Sequence, residues 1–332
     1  MVKTLIIIIS FLLGIPSLVL AQDITATPAP SKTPTDVPQA ESGDDETEPA
    51  QLAQQLTPWT QADLSILTGN VQRPNGVVWH NNKLYAACTG DSTIYELDDR
   101  SAATHTYIFG VRNAHTLYAE SDATGELSLW VPDFQTNRLL QVGRTGVVTI
   151  SENLSGPWGI AYINESDFLV TNLQANNVVI INRTGEMRDV ITGLRSPTGV
   201  VADETYIYIA NNGSARRAIE WVSRSQAIEG SEAVEAQPLV SGLQNTTGMV
   251  LAEDGYLYFT YALGTRGVVG RINPASCREN GGCSNDQVEI VIYSELAAPL
   301  AGLSISPDMR LFVHAMFSPD IYWVQLDRPD QA

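Results

Sequence analysis

The sequence repeats one short phrase six times from residue 64 onward. Each copy has a turn of proline and small residues, a glycine or its equivalent, an apolar run, a tight turn and a second apolar run. Repeat units built only of short strands, at this spacing, predict a β-propeller. The equivalent positions, 39 to 54 residues apart, are Gly76, His115, Gly159, Gly199, Gly248 and Gly302.

The third copy shows how one repeat makes a blade. Its apolar runs lie at 158–162, 168–171, 178–181 and 188–191, and turn residues separate them. Four such runs predict four antiparallel strands. The last copy ends after its third strand, so we expect residues 64–67 to complete that blade and close the ring. The predicted fold class is therefore all-β, a six-bladed β-propeller closed by an N-terminal strand.

Three regions are predicted along the chain. Residues 1–21 have a basic start and an apolar run that is typical of a signal peptide, with an uncleaved membrane anchor as the alternative. Residues 22–58 are rich in Pro, Thr and acids, which predicts a disordered linker. Residues 59–328 form the propeller. An insertion at 224–237 in blade 4 predicts a short helix or a flexible flap.

The charge and the cysteines restrict partners and location. The formal net charge is −18, which disfavours nucleic acid and anionic membranes as partners. We expect a monomer, secreted or otherwise extracytoplasmic, with no membrane contact beyond a possible N-terminal anchor. Cys277 and Cys283 bracket a polar turn and predict a small disulfide loop. Cys88 ends an apolar strand and is interpreted as a buried thiol.

The variable residues of the repeat predict where a site lies. In a propeller, the turn leading into each inner strand and the loop after each second strand share one face around the channel. His115 and His314 are the catalytic candidates, and two solvated loop histidines are the alternative. For the amides the alternative is turn capping, and for Trp158 it is packing between blades. The predicted ligand-binding residues are Asn75, Trp158, Asn172, Thr198, Asn211 and Thr247.

Two motifs carry a family resemblance that covers residues 64–326. The Pro-x-Gly turns at 74–76 and 197–199, and the Ile-Tyr-Ile-Ala-Asn strand at 207–211, resemble the NHL and gluconolactonase/regucalcin group of six-bladed propellers. They also resemble propellers of the virginiamycin B lyase type. The resemblance implies a channel site for a divalent cation, Ca²⁺ or Mg²⁺, which the residues themselves do not specify.

The resemblance also implies roles for particular residues. Asn172 and Asn211 match amide ligands of the cation in the gluconolactonase group, whereas Asn75 stands where that group has a glutamate. The lyase type implies a catalytic histidine, which His115 or His314 would supply.

Two functional hypotheses follow. The first is a secreted propeller that binds a polar small molecule or a protein partner at its channel face, without a requirement for catalysis. The alternative is a metal-assisted lyase, or a hydrolase of the lactonase or esterase kind. The chain has no His-x-His metal spacing and no Gly-x-Ser-x-Gly elbow, and the sequence does not decide between the two hypotheses.

Overall fold

The computed structural model of the protein describes residues 57–296 and 298–326. The predicted signal peptide and all but the end of the predicted linker lie outside the described residues. Two short strands open the described chain, β1 (Trp59–Thr60) and β2 (Ser65–Thr68), with a 3-10 helix over Gln61–Asp63 between them.

The first three blades follow in chain order, each with four antiparallel strands from the channel to the rim. Blade 1 contains β3 (Pro74–His80), β4 (Lys83–Cys88), β5 (Thr93–Asp98) and β6 (Thr104–Phe109). Blade 2 contains β7 (Tyr118–Ser121), β8 (Leu127–Asp133), β9 (Arg138–Gly143) and β10 (Gly146–Ser151). Blade 3 contains β11 (Pro157–Tyr162), β12 (Asp167–Asn172), β13 (Asn177–Asn182) and β14 (Met187–Thr192).

The other three blades include the two α-helices. Blade 4 contains β15 (Pro197–Ala202), β16 (Tyr206–Asn211), a 3-10 helix (Ala215–Arg217), β17 (Ile219–Ser223), α1 (Arg224–Glu229), β18 (Val234–Glu235) and β19 (Gln237–Ser241). Blade 5 contains β20 (Met249–Leu251), β21 (Leu257–Leu263), β22 (Arg266–Ile272), α2 (Pro274–Glu279), β23 (Cys283–Ser284), a 3-10 helix (Asn285–Gln287) and β24 (Glu289–Tyr293). Blade 6 contains β25 (Leu300–Ile305), β26 (Arg310–Ala315) and β27 (Ile321–Gln325).

An N-terminal strand completes blade 6, as the sequence predicts. Strand β2 pairs antiparallel with β27, with Ser65 opposite Trp323 and Ile66 opposite Tyr322. The observed strand begins and ends one residue later than the predicted 64–67. Because β2 comes before blade 1 in the chain, its pairing with β27 joins the last blade to the first.

Three blades have a fifth strand that pairs in parallel with their outermost strand. Strand β18 of the blade 4 insertion pairs with β14 of blade 3, β23 pairs with β19, and β1 pairs with β24. The insertion predicted as a helix or a flap is thus a helix followed by an edge strand of the neighbouring blade. Within the described residues, β2, β6 and β10 have no such added strand. Blades 3, 4 and 5 are therefore tied in series through the backbone.

Close approach between inner strands explains the repeated glycine. A Cβ atom on Gly159 would lie 2.3 Å from the carbonyl oxygen of Thr198 in the next blade. At Gly302, whose φ is +53°, a Cβ would lie 2.5 Å from the carbonyl oxygen of Asn75. The phrase therefore marks the points where neighbouring blades touch around the channel.

The cysteines are placed as the sequence predicts. Cys277 and Cys283 form a disulfide that joins α2 to β23. Cys88 is free and buried, and burial raises the pKa of its thiol to about 12. None of the helices in the described parts of the chain has the length and apolar character needed to span a bilayer.

Candidate functional site

Two cavities lie along the channel axis on the face formed by the leading turns and the loops after the second strands. The outer one, the mouth pocket, has a volume of about 230 Å³. The inner one, the channel cavity, has a volume of about 240 Å³ and is lined mainly by apolar residues of the inner strands. His115 lines both cavities. The mouth pocket is formed by Arg73, Pro74, Asn75, Thr89, Asn113, His115, Met316 and Phe317.

His115 occupies the position that the other five blades give to glycine. Regular pairing of the inner strand of blade 2 begins only at Tyr118, and upstream of it a single bridge joins Ala114 to Asp133. In the other blades, the tight contact of the glycine with the next blade leaves no room for a large side chain. The irregular start of the blade 2 strand is what accommodates an imidazole at this point of the ring.

The His115 ring belongs to an aromatic triad with Trp158 and Phe134. Its centroid lies 3.3 Å from that of Trp158, and the two planes are 6° apart. Phe134 meets the imidazole edge-on, at 5.5 Å and 89°. The hydroxyl of Thr116 donates to the carbonyl oxygen of Trp158 at 2.8 Å, which fixes blade 2 against blade 3 beside the stack. The orientation of the imidazole is therefore held by packing on two sides.

The electrostatic state of His115 follows from this packing. Burial, with a smaller contribution from the nearby His314, lowers the pKa of His115 to about 3. The ring is therefore neutral at neutral pH. Neither ring nitrogen has a hydrogen-bond partner among residues 57–296 and 298–326. A neutral imidazole offers one donor and one acceptor, and neither is satisfied within the described residues.

His314 differs from His115 in its surroundings. It is fully buried at the end of β26, and it lines neither cavity. Its Nε2 donates to the carbonyl oxygen of Asn75 at 2.6 Å, while Nδ1 lies 3.3 Å from the carbonyl oxygen of Ala315. Burial lowers the pKa of His314, although the two carbonyls oppose that effect. Its position supports the leading turn of blade 1 from behind the pocket.

The predicted binding residue Asn75 lies in the pocket wall. Its side-chain amide donates to the Oδ1 atom of Asn113 at 2.6 Å. This bond connects the leading turns of blades 1 and 2. The backbone N–H of Asn113 in turn donates to the carboxylate of Asp133 at 3.2 Å. The pocket rim is thus a linked set of polar groups rather than separate loop side chains.

Thr198 and Thr247 do not line the pocket. Thr198 is fully buried, and its hydroxyl donates to the carbonyl oxygen of Thr246 at 2.8 Å. The hydroxyl of Thr247 lies 2.8 Å from that of Thr260, which also accepts from the N–H of Gly248 at 2.8 Å. Both predicted binding residues therefore have structural partners in this structure.

Asn172 in blade 3 and Asn211 in blade 4 both bond to the backbone of a leading turn. The Oδ1 atom of Asn172 accepts the backbone N–H of Ser155 at 3.0 Å, and that of Asn211 accepts the N–H of Arg195 at 3.0 Å. Each asparagine thus holds the leading turn of its own blade. The Nδ2 atom of Asn211 donates to the buried carboxylate of Glu220 at 2.5 Å.

These contacts bear on the divalent cation that the family resemblance implies. A hard cation needs several free oxygen ligands, and both asparagine oxygens already accept backbone N–H groups. In the described parts of the chain, no three His, Cys, Asp or Glu side chains lie close enough together to hold a metal ion. The residues at the matched positions do not fit such a cation.

The structure adds pocket residues that the sequence pattern did not single out. Asn113, Phe134, Met316 and Phe317 reach the site only because loops of different blades converge there. Phe317 has an unusual backbone conformation, because its φ of +66° is rare for a bulky residue. Its side chain is 77% exposed.

Comparison with known proteins identifies the fold. No protein-family model matches the chain, and no curated protein matches it at a significant level. Among solved structures, a virginiamycin B lyase from Staphylococcus aureus is 14% identical with a TM-score of 0.54, over 78% of this chain and 97% of that one. The shared architecture is the six-bladed β-propeller.

Two further solved structures have the same fold. A gluconolactonase from Xanthomonas campestris is 13% identical with a TM-score of 0.58, over 78% of this chain and 88% of that one. A calcium-binding protein, regucalcin, from Agrobacterium tumefaciens is 13% identical with a TM-score of 0.59, over 81% of this chain and 95% of that one. At these identities the propeller's likeness extends to the fold alone, because one fold serves many chemistries.

Proposed function

We propose that this propeller is an extracytoplasmic binding protein whose mouth pocket holds a polar small molecule against His115. The observation that carries the proposal is the free imidazole at the one repeat position without glycine. A local departure from a repeat, where packing favours the repeat residue, is expected at functional sites. The ring is oriented by Trp158 and Phe134, and His115 lines both cavities.

The state of His115 favours binding over proton transfer. An efficient general base has a pKa near the working pH, whereas burial lowers the pKa of His115 to about 3. Such a ring accepts and donates hydrogen bonds at neutral pH but has little affinity for a proton. The linked amides of Asn75 and Asn113 supply further polar contacts.

The proposed location rests on sequence and structure together. Residues 1–21 have the pattern of a signal peptide. The Cys277–Cys283 disulfide is typical of an oxidising compartment. Both features support export from the cytoplasm.

The binding function is tested by NMR of the histidine rings, which are only four in number. Glucono-δ-lactone, N-acetylglycinamide and phenylacetate are titrated separately into the purified chain. We expect at least one of them to shift the imidazole signals of His115 and to leave those of the exposed His105 unchanged. Signals that move for none of the three probes would contradict the proposal.

A matched pair of variants sharpens the test. His115→Gly restores the repeat residue and should abolish binding of the active probe while a folded spectrum is kept; calorimetry measures this binding, because the variant has no His115 signal. His105→Ala removes an exposed histidine on β6 and should leave binding unchanged. Equal binding by the wild type and His115→Gly would move the site away from this pocket.

The metal-assisted alternative has a separate test, motivated by the calcium-binding protein among the structural neighbours. Millimolar Ca²⁺ or Mg²⁺ that binds only the folded chain would raise its Tm through linkage. A rise that Asn172→Ala removes would favour the lyase or lactonase hypothesis over simple binding.

A further inference from the structure

Among the described residues, five arginines on the mouth face form no salt bridge with a carboxylate, and neither do Arg188 on β14 and Arg278 on α2 elsewhere in the propeller. Most arginines of the propeller pair with Asp or Glu, as expected in a chain with a net charge of −18. Within the described residues, the mouth-face exceptions lie in leading turns or in loops after second strands. These exceptions are Arg73, Arg112, Arg195, Arg216 and Arg266.

The opposite face of the ring carries many exposed acids. Its turns between first and second strands, and between third and fourth strands, carry exposed acids. These include Asp122, Glu165, Glu204, Glu232 and Glu253. The mouth face also carries the acids Asp91, Glu152, Glu295 and Asp320, so the attraction for an anion is local to the arginines that have no carboxylate partner.

Arg73 is the member of this set that lines the mouth pocket. Its φ is +59°, and the residues at the same place before the proline in blades 3 and 4 are the small Gly156 and Ser196. The turn is held by the N–H of Thr89, which donates to the carbonyl oxygen of Arg73 at 3.0 Å. A long cationic side chain thus stands where the fold elsewhere uses small residues.

Phe317 provides an apolar counterpart in the same pocket. Its φ is +66°, and Met316 beside it also lines the pocket. Left-handed conformations at residues with large side chains are costly and cluster at functional sites. The pocket therefore combines an unpaired guanidinium, an exposed aromatic ring and the free imidazole of His115.

We propose that the mouth pocket selects a small organic carboxylate with an apolar body. The planar guanidinium of Arg73 would receive the carboxylate through paired N–H donors, and the apolar body would pack on Phe317 and Met316. A pocket of about 230 Å³ suits a ligand of this size class. This inference rests on the proposed binding function and names its ligand class.

Phenylacetate and phenylacetamide test the inference, because they differ only in the acid group. Both are titrated by calorimetry and by NMR of the His115 ring. We expect phenylacetate to bind at least about 10-fold more tightly than the amide, since a charge-assisted hydrogen bond contributes more than a neutral one. Raising the salt concentration should narrow that difference.

Three variants separate the contributions. Arg73→Gln should bring phenylacetate to the affinity of the amide, whereas Arg100→Gln on the opposite face should not change it. Phe317→Ala should weaken both probes by a similar factor, about 10-fold for loss of an aromatic contact. Equal affinity for the two probes, no effect of Arg73→Gln, or no binding of phenylacetate up to about 10 mM would overturn the inference.

The failure of this inference is distinguishable from failure of the proposed function. If glucono-δ-lactone or N-acetylglycinamide shifts His115 while phenylacetate has no advantage over its amide, the pocket binds but does not select acids. If no probe shifts His115, both proposals fail.

Discussion

His314 donates from Nε2 to the carbonyl oxygen of Asn75 at 2.6 Å, across the boundary between the last blade and the first. A residue buried in blade 6 thereby fixes the leading turn that forms one wall of the mouth pocket. The same hydrogen bond thus contributes to the contact between the last and first blades and to the geometry of the pocket. The repeat places these two residues 239 positions apart in the chain.

Removal of this bond should destabilise the protein. We expect His314→Ala to lower the free energy of unfolding by about 3 kcal/mol, because it leaves a cavity and an unsatisfied carbonyl. Urea denaturation measures the change, and His105→Ala is the exposed control, expected within about 0.5 kcal/mol of the wild type. A His314→Ala protein as stable as that control would show that the bond has no structural importance.

The low pKa of His115 predicts a loss of stability in acid. In the unfolded chain the ring has an ordinary pKa of about 6.5, while burial lowers the pKa to about 3 in the folded protein. Between those values only the unfolded state binds the proton, so stability is full above pH 6.5 and decreases as the pH falls towards 3. Linkage gives up to about 2 kcal/mol between pH 7 and pH 5.

The His115→Gly variant lacks the titrating imidazole, so its pH-dependent stability is compared with that of the wild type. Its loss of stability between pH 7 and pH 5, measured by urea denaturation, should be smaller than that of the wild type by up to about 2 kcal/mol. Parallel losses in the two proteins would mean that the ring titrates normally in the folded state.

Replacement of a repeat glycine by alanine should destabilise the propeller. Gly159→Ala places a Cβ 2.3 Å from the carbonyl oxygen of Thr198, and we expect a loss of about 2 kcal/mol from overpacking. Gly146→Ala at the outer edge of blade 2 meets no atom within 4 Å and should cost less than about 0.5 kcal/mol. Thermal unfolding of both variants distinguishes contact between blades from a general effect of alanine.

The disulfide should support the added strand of blade 4. Replacing Cys277 and Cys283 with serine should lower the free energy of unfolding by about 2 kcal/mol, as expected for a short closed loop. Because β23 pairs with β19 at Val240 and Ser241, hydrogen exchange at this edge should accelerate as well. Unchanged exchange at β19 would mean that the strand holds without the crosslink.

The sequence predicts the ring well because its signals are local. Glycine, turn residues and short apolar runs recur in every copy, and the closing strand was displaced by only one residue. Strand β18 was not predictable in the same way, since two residues of the 224–237 insertion pair with a blade that precedes them in the chain. Parallel pairing of that kind leaves no periodic pattern.

The candidate site was predicted only in part. His115 stood out because it replaces the repeated glycine, and Asn75 because it follows the first proline. Thr198 and Thr247 have the right residue types on the right face, but their hydroxyls bond within the scaffold. Phe134 and Phe317 carry no local signal of their role, because convergence of loops from several blades is a property of the assembled ring.

The added parallel strands connect the blades on only one side of the ring. Backbone pairing runs without interruption from blade 3 to blade 6, through β18, β23 and β1. Within the described residues, no added strand pairs with the outer strand of blade 1 or of blade 2, and the mouth pocket is built from blades 6, 1 and 2. A small movement of blade 1 against blade 2 would therefore widen the pocket and leave every backbone ladder of the ring intact.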